Sequence, residues 1–326
     1  MLRYNRVRRV LPTLLVLLVA APLSLLYAEG PPGGLRIIEP GQPAVAIHAT
    51  IGAIERAHGH GGGGGGSTNN LFYHGGIGGI GVETAPKIYL VVWGSQWNNN
   101  DPSGEESLLQ SFYGAAGGSS WLNSVTQYCQ GVGSGTLFCN NNGTPSSNPP
   151  GIFAGVWSDN GSAAPSHPSQ SQLAAEAVNA AAHFGNTTSS SNASVQYVIA
   201  TAHGNNPTGF GTQYCAWHSA TSSSYGNIAY TNLPYITDAG ASCGANFNGL
   251  GPDAGITIVS GHEMAETITD QFPSGGWLDS QGEENGDKCA WNSATSSQLF
   301  GTTSFPVQPL WSNAANSGAG GCVLSY

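Results

Sequence analysis

Ile256-Thr-Ile-Val-Ser-Gly-His-Glu-Met-Ala-Glu-Thr-Ile-Thr-Asp270 is the stretch on which the reading of the fold turns. Only 8% of the chain is charged, yet His262, Glu263 and Glu266 fall within five residues of one another. Ile256, Val259 and Ile268 around them have the spacing of a largely buried helix. Pro252 suits the first turn of such a helix, and Pro273 stops it soon after Asp270. Residues four apart lie one above the other on a helix, so His262 and Glu266 would project an imidazole and a carboxylate toward one point. This is the geometry of the H-E-x-x-H zinc motif, with Glu266 standing where the second histidine belongs and Glu263 in the place of the general base. Zinc accepts carboxylate oxygen as well as imidazole nitrogen.

A third ligand has to come from elsewhere. The next acidic cluster is Gly282-Glu-Glu-Asn-Gly-Asp-Lys-Cys289, in which Glu284 and Asp287 lie 18 and 21 residues beyond Glu266. That separation suffices for a loop to fold back over the helix, and either residue can be the third ligand. Two blander readings stand beside it. One is an internally satisfied network of His and Glu hydrogen bonds. The other is a solvated acidic turn, or a calcium site, because carboxylate and carbonyl oxygens suit that ion.

Composition limits the remaining possibilities. Arg3, Arg6, Arg8 and Arg9 precede an apolar run from Val10 to Ala28, the pattern of a secretory signal peptide over residues 1–28, with an uncleaved anchor as the alternative. Beyond it, Arg36, Arg56, Lys87 and Lys288 face 18 acidic residues, which leaves a net charge of −14. Four scattered cations form no basic patch, so nucleic acid is excluded as a partner, and so is a membrane once the signal is removed. A coat of Ser, Thr, Asn, Gln and Gly in place of charge suits exported proteins in acidic surroundings, where carboxylate ion pairs are lost on protonation. The even set of six cysteines in an exported chain implies disulfides, and pairing of sequence neighbours gives Cys129–Cys139, Cys215–Cys243 and Cys289–Cys322.

Residues 29–83 read as a pro-segment or flexible linker, with a short helix possible from Ala44 to His58 followed by a polyglycine tract that resists ordering. A globular domain is expected from residue 84 to 326. Lys87–Gly94 has the continuous apolar run of a central strand, and Gly151–Trp157 and Ser194–Ala202 read as further strands. Helices are expected after Asp101, with Ser103 as cap, around Trp121, and over Ser169–Phe184. Asn142, Asn160, Asn186 and Asn192 open N-x-S/T triplets in loops expected at the surface. The alternation gives the fold class α+β: one domain, a mixed central β-sheet with packed helices, and the His262 helix lying under it in a zincin-like manner. Cys215–Ser223 and Cys289–Ser297 match at all but one of nine positions, suggesting equivalent hairpins on either side of that helix. The position that differs is His218, a second candidate ligand or transition-state donor, and His203 has similar standing.

Ile88–Gly94, Tyr214–His218, Gly261–Glu266 and Glu284–Cys289, in this order, resemble segments of the EXORDIUM or phosphate-induced family of plant cell-wall proteins, over about residues 85 to 292. The resemblance implies an extracellular or wall-associated protein with a metallopeptidase-like site, in which Glu263 is the base-like residue and His262, Glu266 and Asp287 are ligand positions. Two functions are therefore expected in competition. One is a secreted zinc metallopeptidase acting on peptide or protein substrates. The other is a non-catalytic protein that binds cell-wall polysaccharide through aromatic faces or acts in signalling, with calcium in the acidic cluster.

Overall fold

The computed structural model describes Met1, residues 33–60 and residues 70–326. The expected signal peptide and the polyglycine tract lie outside the described residues. A seven-stranded mixed sheet forms the centre. Its strands in chain order are β1 (Gly34–Arg36), β2 (Val45–Ala49), β3 (Lys87–Trp93), β4 (Phe153–Asp159), β5 (Val195–Thr201), β6 (Tyr214–Ser223) and β7 (Gly226–Leu233). In space they run β1-β2-β6-β7-β5-β3-β4. The β7-β5-β3-β4 half is parallel and the β1-β2-β6-β7 half antiparallel. One α+β domain with a mixed sheet is thus the architecture that the alternation of elements implied.

The sheet is covered on both faces, which is why β3 and β5 lack a polar face. The period of two sends Ile88, Leu90 and Val92 to one core together with Val198 and Ala200, and Val91 to the other with Val195, Tyr197 and Ile199. The second core is closed by α3 (Gln170–His183), whose Leu173, Ala177, Ala180 and Ala181 face the sheet. Ser169 begins that helix with a capping box to Gln172. On the first face lie α2 (Glu105–Ala116) and α4 (Ala254–Thr269). The first-turn amides of α2 are satisfied by the Asp101 carboxylate rather than by Ser103, whose hydroxyl meets Thr237 instead.

All sixteen residues of α4 are buried. It is held between the sheet and a hairpin of β8 (Ser296–Phe300) and β9 (Thr303–Val307), and Thr257 Oγ1 donates to Pro306 O across that contact. A Cβ on Gly261 would lie 3.1 Å from both Phe112 and Trp121, so glycine here permits the close approach of the aromatic layer.

Three expectations need correction. The helix anticipated from Ala44 begins only at Ile51, as α1 (Ile51–His60), because Val45–Ala49 alternates as a strand and pairs antiparallel with β6. The segment ahead of the glycine tract is therefore part of the sheet, and the folded structure starts well before residue 84. The two nine-residue copies are not equivalent hairpins. Cys215–Ser223 lies wholly in β6, whereas Cys289–Ser297 runs from a 3-10 turn through Trp291, at a φ of 51°, into β8. Asn192 is buried, donating to Asn186 O, Thr188 O and Tyr225 O, and so is not a surface acceptor.

Disulfides link Cys129 to Cys139, Cys215 to Cys243 and Cys289 to Cys322, each contributing about 2–4 kcal/mol by restricting the unfolded chain. They fit an extracellular protein. Among the described residues no helix is long and apolar enough to cross a membrane.

Two carboxyls away from α4 make stability depend on pH. Burial pushes Glu83 and Glu105 up to about 8, although Gln196 donates to the first and the Ile236 N–H to the second. In the unfolded chain such groups ionise near 4.5, so between these values the folded state holds the extra protons. Their contribution is complete at low pH and is lost as pH rises through about 8. Thermal midpoints of wild type and Glu105→Gln, measured from about pH 5 to 8, should show the wild type losing more stability with rising pH. Parallel curves would contradict this.

Candidate metal centre

The site forms where α4 passes beneath β2 and β6. Pairing of Ala46 with His218 and of His48 with Ala216 puts both strand histidines on the face opposite Val45 and Ile47, toward α4. From the helix come His262, Glu263 and Glu266, one turn apart as the spacing required. The acidic loop closes the third side. It is pinned by Asn285, whose amide donates to Ala265 O and Thr269 Oγ1, and by Trp311 N–H donating to Asn285 O. The Cys289–Cys322 bridge ties it two residues after Asp287.

His262 Nε2 lies 2.9 Å from Glu266 Oε1 and 3.7 Å from Asp287 Oδ1. The other ring nitrogen, Nδ1, is 3.2 Å from Gln308 Oε1, and Gln308 Nε2 in turn donates to Gly286 O. A glutamine carbonyl accepts only, so Nδ1 carries the proton and Nε2 is left with a lone pair facing the two carboxylates. Metal-binding imidazoles are oriented by such a contact at the far nitrogen. His218 Nδ1 lies 3.2 Å from Glu263 Oε2 and 3.7 Å from Glu266 Oε2, while its Nε2 is 3.6 Å from Glu284 Oε1.

Of the two residues considered for the third ligand, Asp287 is brought to His262 and Glu266, and Glu284 to the far side of His218. His203 is not part of the cluster: it is exposed and pairs with Asp238. Two residues were missed. Gln308 follows β9 with no motif of its own. His48 falls in the expected Ala44–His58 helix, yet its ring stacks on His262 at 3.8 Å with an interplanar angle of 2°, and on Trp291 at 4.7 Å. The alternation Val45, Ile47 against Ala46, His48 was the signal that could have found it.

The electrostatics of this cluster are unusual for a protein core. Burial lowers His218 to about 3, helped by His262. It also lowers His262 to about 4 against the attraction of Asp287, so both rings are neutral donors at neutral pH. Burial raises Glu263 and Glu284, and repulsion from neighbouring carboxylates raises them further. Burial likewise raises Asp287, and it raises Glu266 although the Asp287 N–H donates to that carboxylate. Lys288 is committed to Asp279 at 2.8 Å. Among the atoms left without a hydrogen-bond partner are His218 Nε2, His262 Nε2, Glu263 Oε1, Glu266 Oε2, both oxygens of Glu284, and Asp287 Oδ1. An internally satisfied network would leave no such set of orphans, since each costs about 1–3 kcal/mol. Buried His and Glu groups among them could hold a metal ion. The groups His262–Glu266–Asp287, His218–Glu263–Glu266 and His48–His262–Glu263 each bring three ligand atoms within 4.8 Å of one another.

No family model matches the chain, nor does any curated protein or solved structure.

Gly286 is the hinge of this packing. A Cβ there would sit 2.8 Å from both Glu266 Oε1 and His262 Nδ1. Gly286→Ala should therefore lift the acidic loop, destabilise the fold by about 1–3 kcal/mol, and weaken cation binding, as read by calorimetric titration with zinc. Unchanged affinity in a folded variant would contradict the assigned packing.

Proposed function

We propose that the protein is a secreted, metal-dependent hydrolase of the metallopeptidase kind, with His262, Glu266 and Asp287 as the ligands. The observation that carries this reading is the convergence of His262 Nε2, Glu266 Oε1 and Asp287 Oδ1, all buried, beside a carboxylate one residue along the helix. One imidazole and two carboxylates leave a place for water, the arrangement of catalytic rather than structural zinc. An imidazole donor favours zinc over calcium, which takes oxygen ligands. Zinc at such a site supplies Lewis acidity to a water and to a substrate carbonyl.

The chain's own residues supply the rest. Glu263 Oε2 is held by His218 and its Oε1 has no partner, so Oε1 is the atom that takes a proton from the attacking water and returns it to the leaving amine. His218 positions that carboxylate. A buried helix packed on a mixed sheet, three disulfides and the apolar leader suit an exported peptidase, and the resemblance to the EXORDIUM family points the same way. The alternative, a polysaccharide-binding protein, is favoured less because none of the eight tryptophans is exposed to offer a stacking face.

The cluster is sealed from solvent, and the segment that seals it precedes the glycine tract. His48 lies on the His262 ring, Trp291 Nε1 donates to Ala49 O, and Gly33 packs against the Asp287 carboxylate so closely that a Cβ would collide with it. Because β1 and β2 form the edge of the sheet, they can leave together by breaking only the pairing of β2 with β6, as befits a pro-segment.

Purified protein should contain zinc and cleave a casein or peptide mixture, with activity lost to chelator. Glu263→Gln should retain the metal and lose about 100-fold or more in rate. Metal-free protein with undiminished hydrolysis would end this reading. If residues 61–69 are replaced by a specific protease site, cutting there and washing away the preceding segment should raise activity by at least about tenfold, roughly the 1.4 kcal/mol of a partial block. A cut chain that binds zinc but is no more active would contradict the pro-segment role.

A further inference from the structure

The geometry points to a second cation site beside the first, formed by His218 Nδ1, Glu263 Oε2 and Glu266 Oε2, with Glu266 bridging the two. This deepens the proposed function and rests on it for the first site alone.

The two oxygens of Glu266 face different histidines. Oε1 is 2.9 Å from His262 Nε2 and Oε2 is 3.7 Å from His218 Nδ1. Oε1 also accepts the Asp287 N–H, which fixes the rotation of the carboxylate, whereas Oε2 is fully buried and has no hydrogen-bond partner at all. A carboxylate that served a single ion would leave that second oxygen unsatisfied in an interior of low dielectric, at a cost no other contact offsets. His218 Nδ1, Glu263 and Glu266 bring one ligand atom each within 4.8 Å, as His262, Glu266 and Asp287 do.

Glu284 supplies an independent indication. It is 0% exposed, both of its oxygens lack hydrogen bonds, and Oε1 is 3.6 Å from His218 Nε2. His218 Nδ1 faces Glu263 Oε2 and Glu266 Oε2 at 3.2 and 3.7 Å, so the second ion would take the place of the hydrogen bond between His218 and Glu263.

Paired ions bridged by a carboxylate, typically about 3.5–4 Å apart, serve hydrolases by holding the attacking and leaving atoms together. The N,O-donor sets suit zinc or manganese.

The test is the number of ions bound to the full chain. After reconstitution with zinc and exhaustive dialysis, elemental analysis should give two per chain for wild type and one for His218→Ala, for Glu284→Gln at limiting zinc, and for Asp287→Asn. Circular dichroism accompanies each variant to establish folding. Reconstitution with manganese(II) gives a readout independent of mutation: spin coupling through Glu266 should replace the six-line resonance of an isolated ion. One ion per wild-type chain with an uncoupled manganese spectrum overturns the second site and leaves the first intact. No ion in wild type overturns both. Two ions in wild type with two retained in folded His218→Ala overturn the assigned ligands.

Discussion

A charge that is taken out of water needs a counter-charge, and this protein gathers four carboxylates and three imidazoles where its most buried helix meets its sheet. The rest of the chain is poor in charge, so the cluster is no by-product of an acidic composition. Ionised and uncompensated, the carboxylates would oppose folding; protonated, they would leave lone pairs unsatisfied. A divalent cation held there would resolve both problems, and the surrounding contacts suit such a site.

Those contacts explain several otherwise unrelated features. Gly286 lacks a side chain because the loop backbone lies against the rings and carboxylates it closes over. Gln308 fixes the tautomer of His262 and holds Gly286 O in the same stroke. Asp270 accepts the backbone N–H groups of Ser274, Gly275 and Gly276, which turns the chain sharply after α4 and sends it back toward the acidic loop. The Cys289–Cys322 bridge then anchors that loop. The aromatic layer of Phe112, Trp121, Phe300 and Phe305 presses α4 toward the sheet from the other side. Rigidity at the ligands comes from this backing, since a site is only as well placed as the shell behind it.

Much of this was legible in the sequence because it is local. The run Lys87–Trp93 is apolar on both faces, as a central strand is, the Ser169–Gln172 pair marks a helix start, and the spacing of four from His262 to Glu266 sets their alignment. The acidic loop was legible as a ligand source, but whether Asp287 or Glu284 faced His262 depended on how the loop folds back, which spacing does not determine. His48 escaped because a short strand of five residues beside a helix carries a weak periodic signal, and its partner β6 lies well over a hundred residues away. Trp217 and Trp291 sit in near-identical sequence yet in different structures, since one is paired within a sheet and the other follows a 3-10 turn. Tertiary context decided there.

The cation should be visible directly. Crystals grown with zinc and measured at its absorption edge should give an anomalous peak about 2.0–2.2 Å from His262 Nε2 and from carboxylate oxygens of Glu266 and Asp287. Crystals that diffract well, show these side chains ordered, and give no peak among them would contradict the cation on which the reading of this core depends.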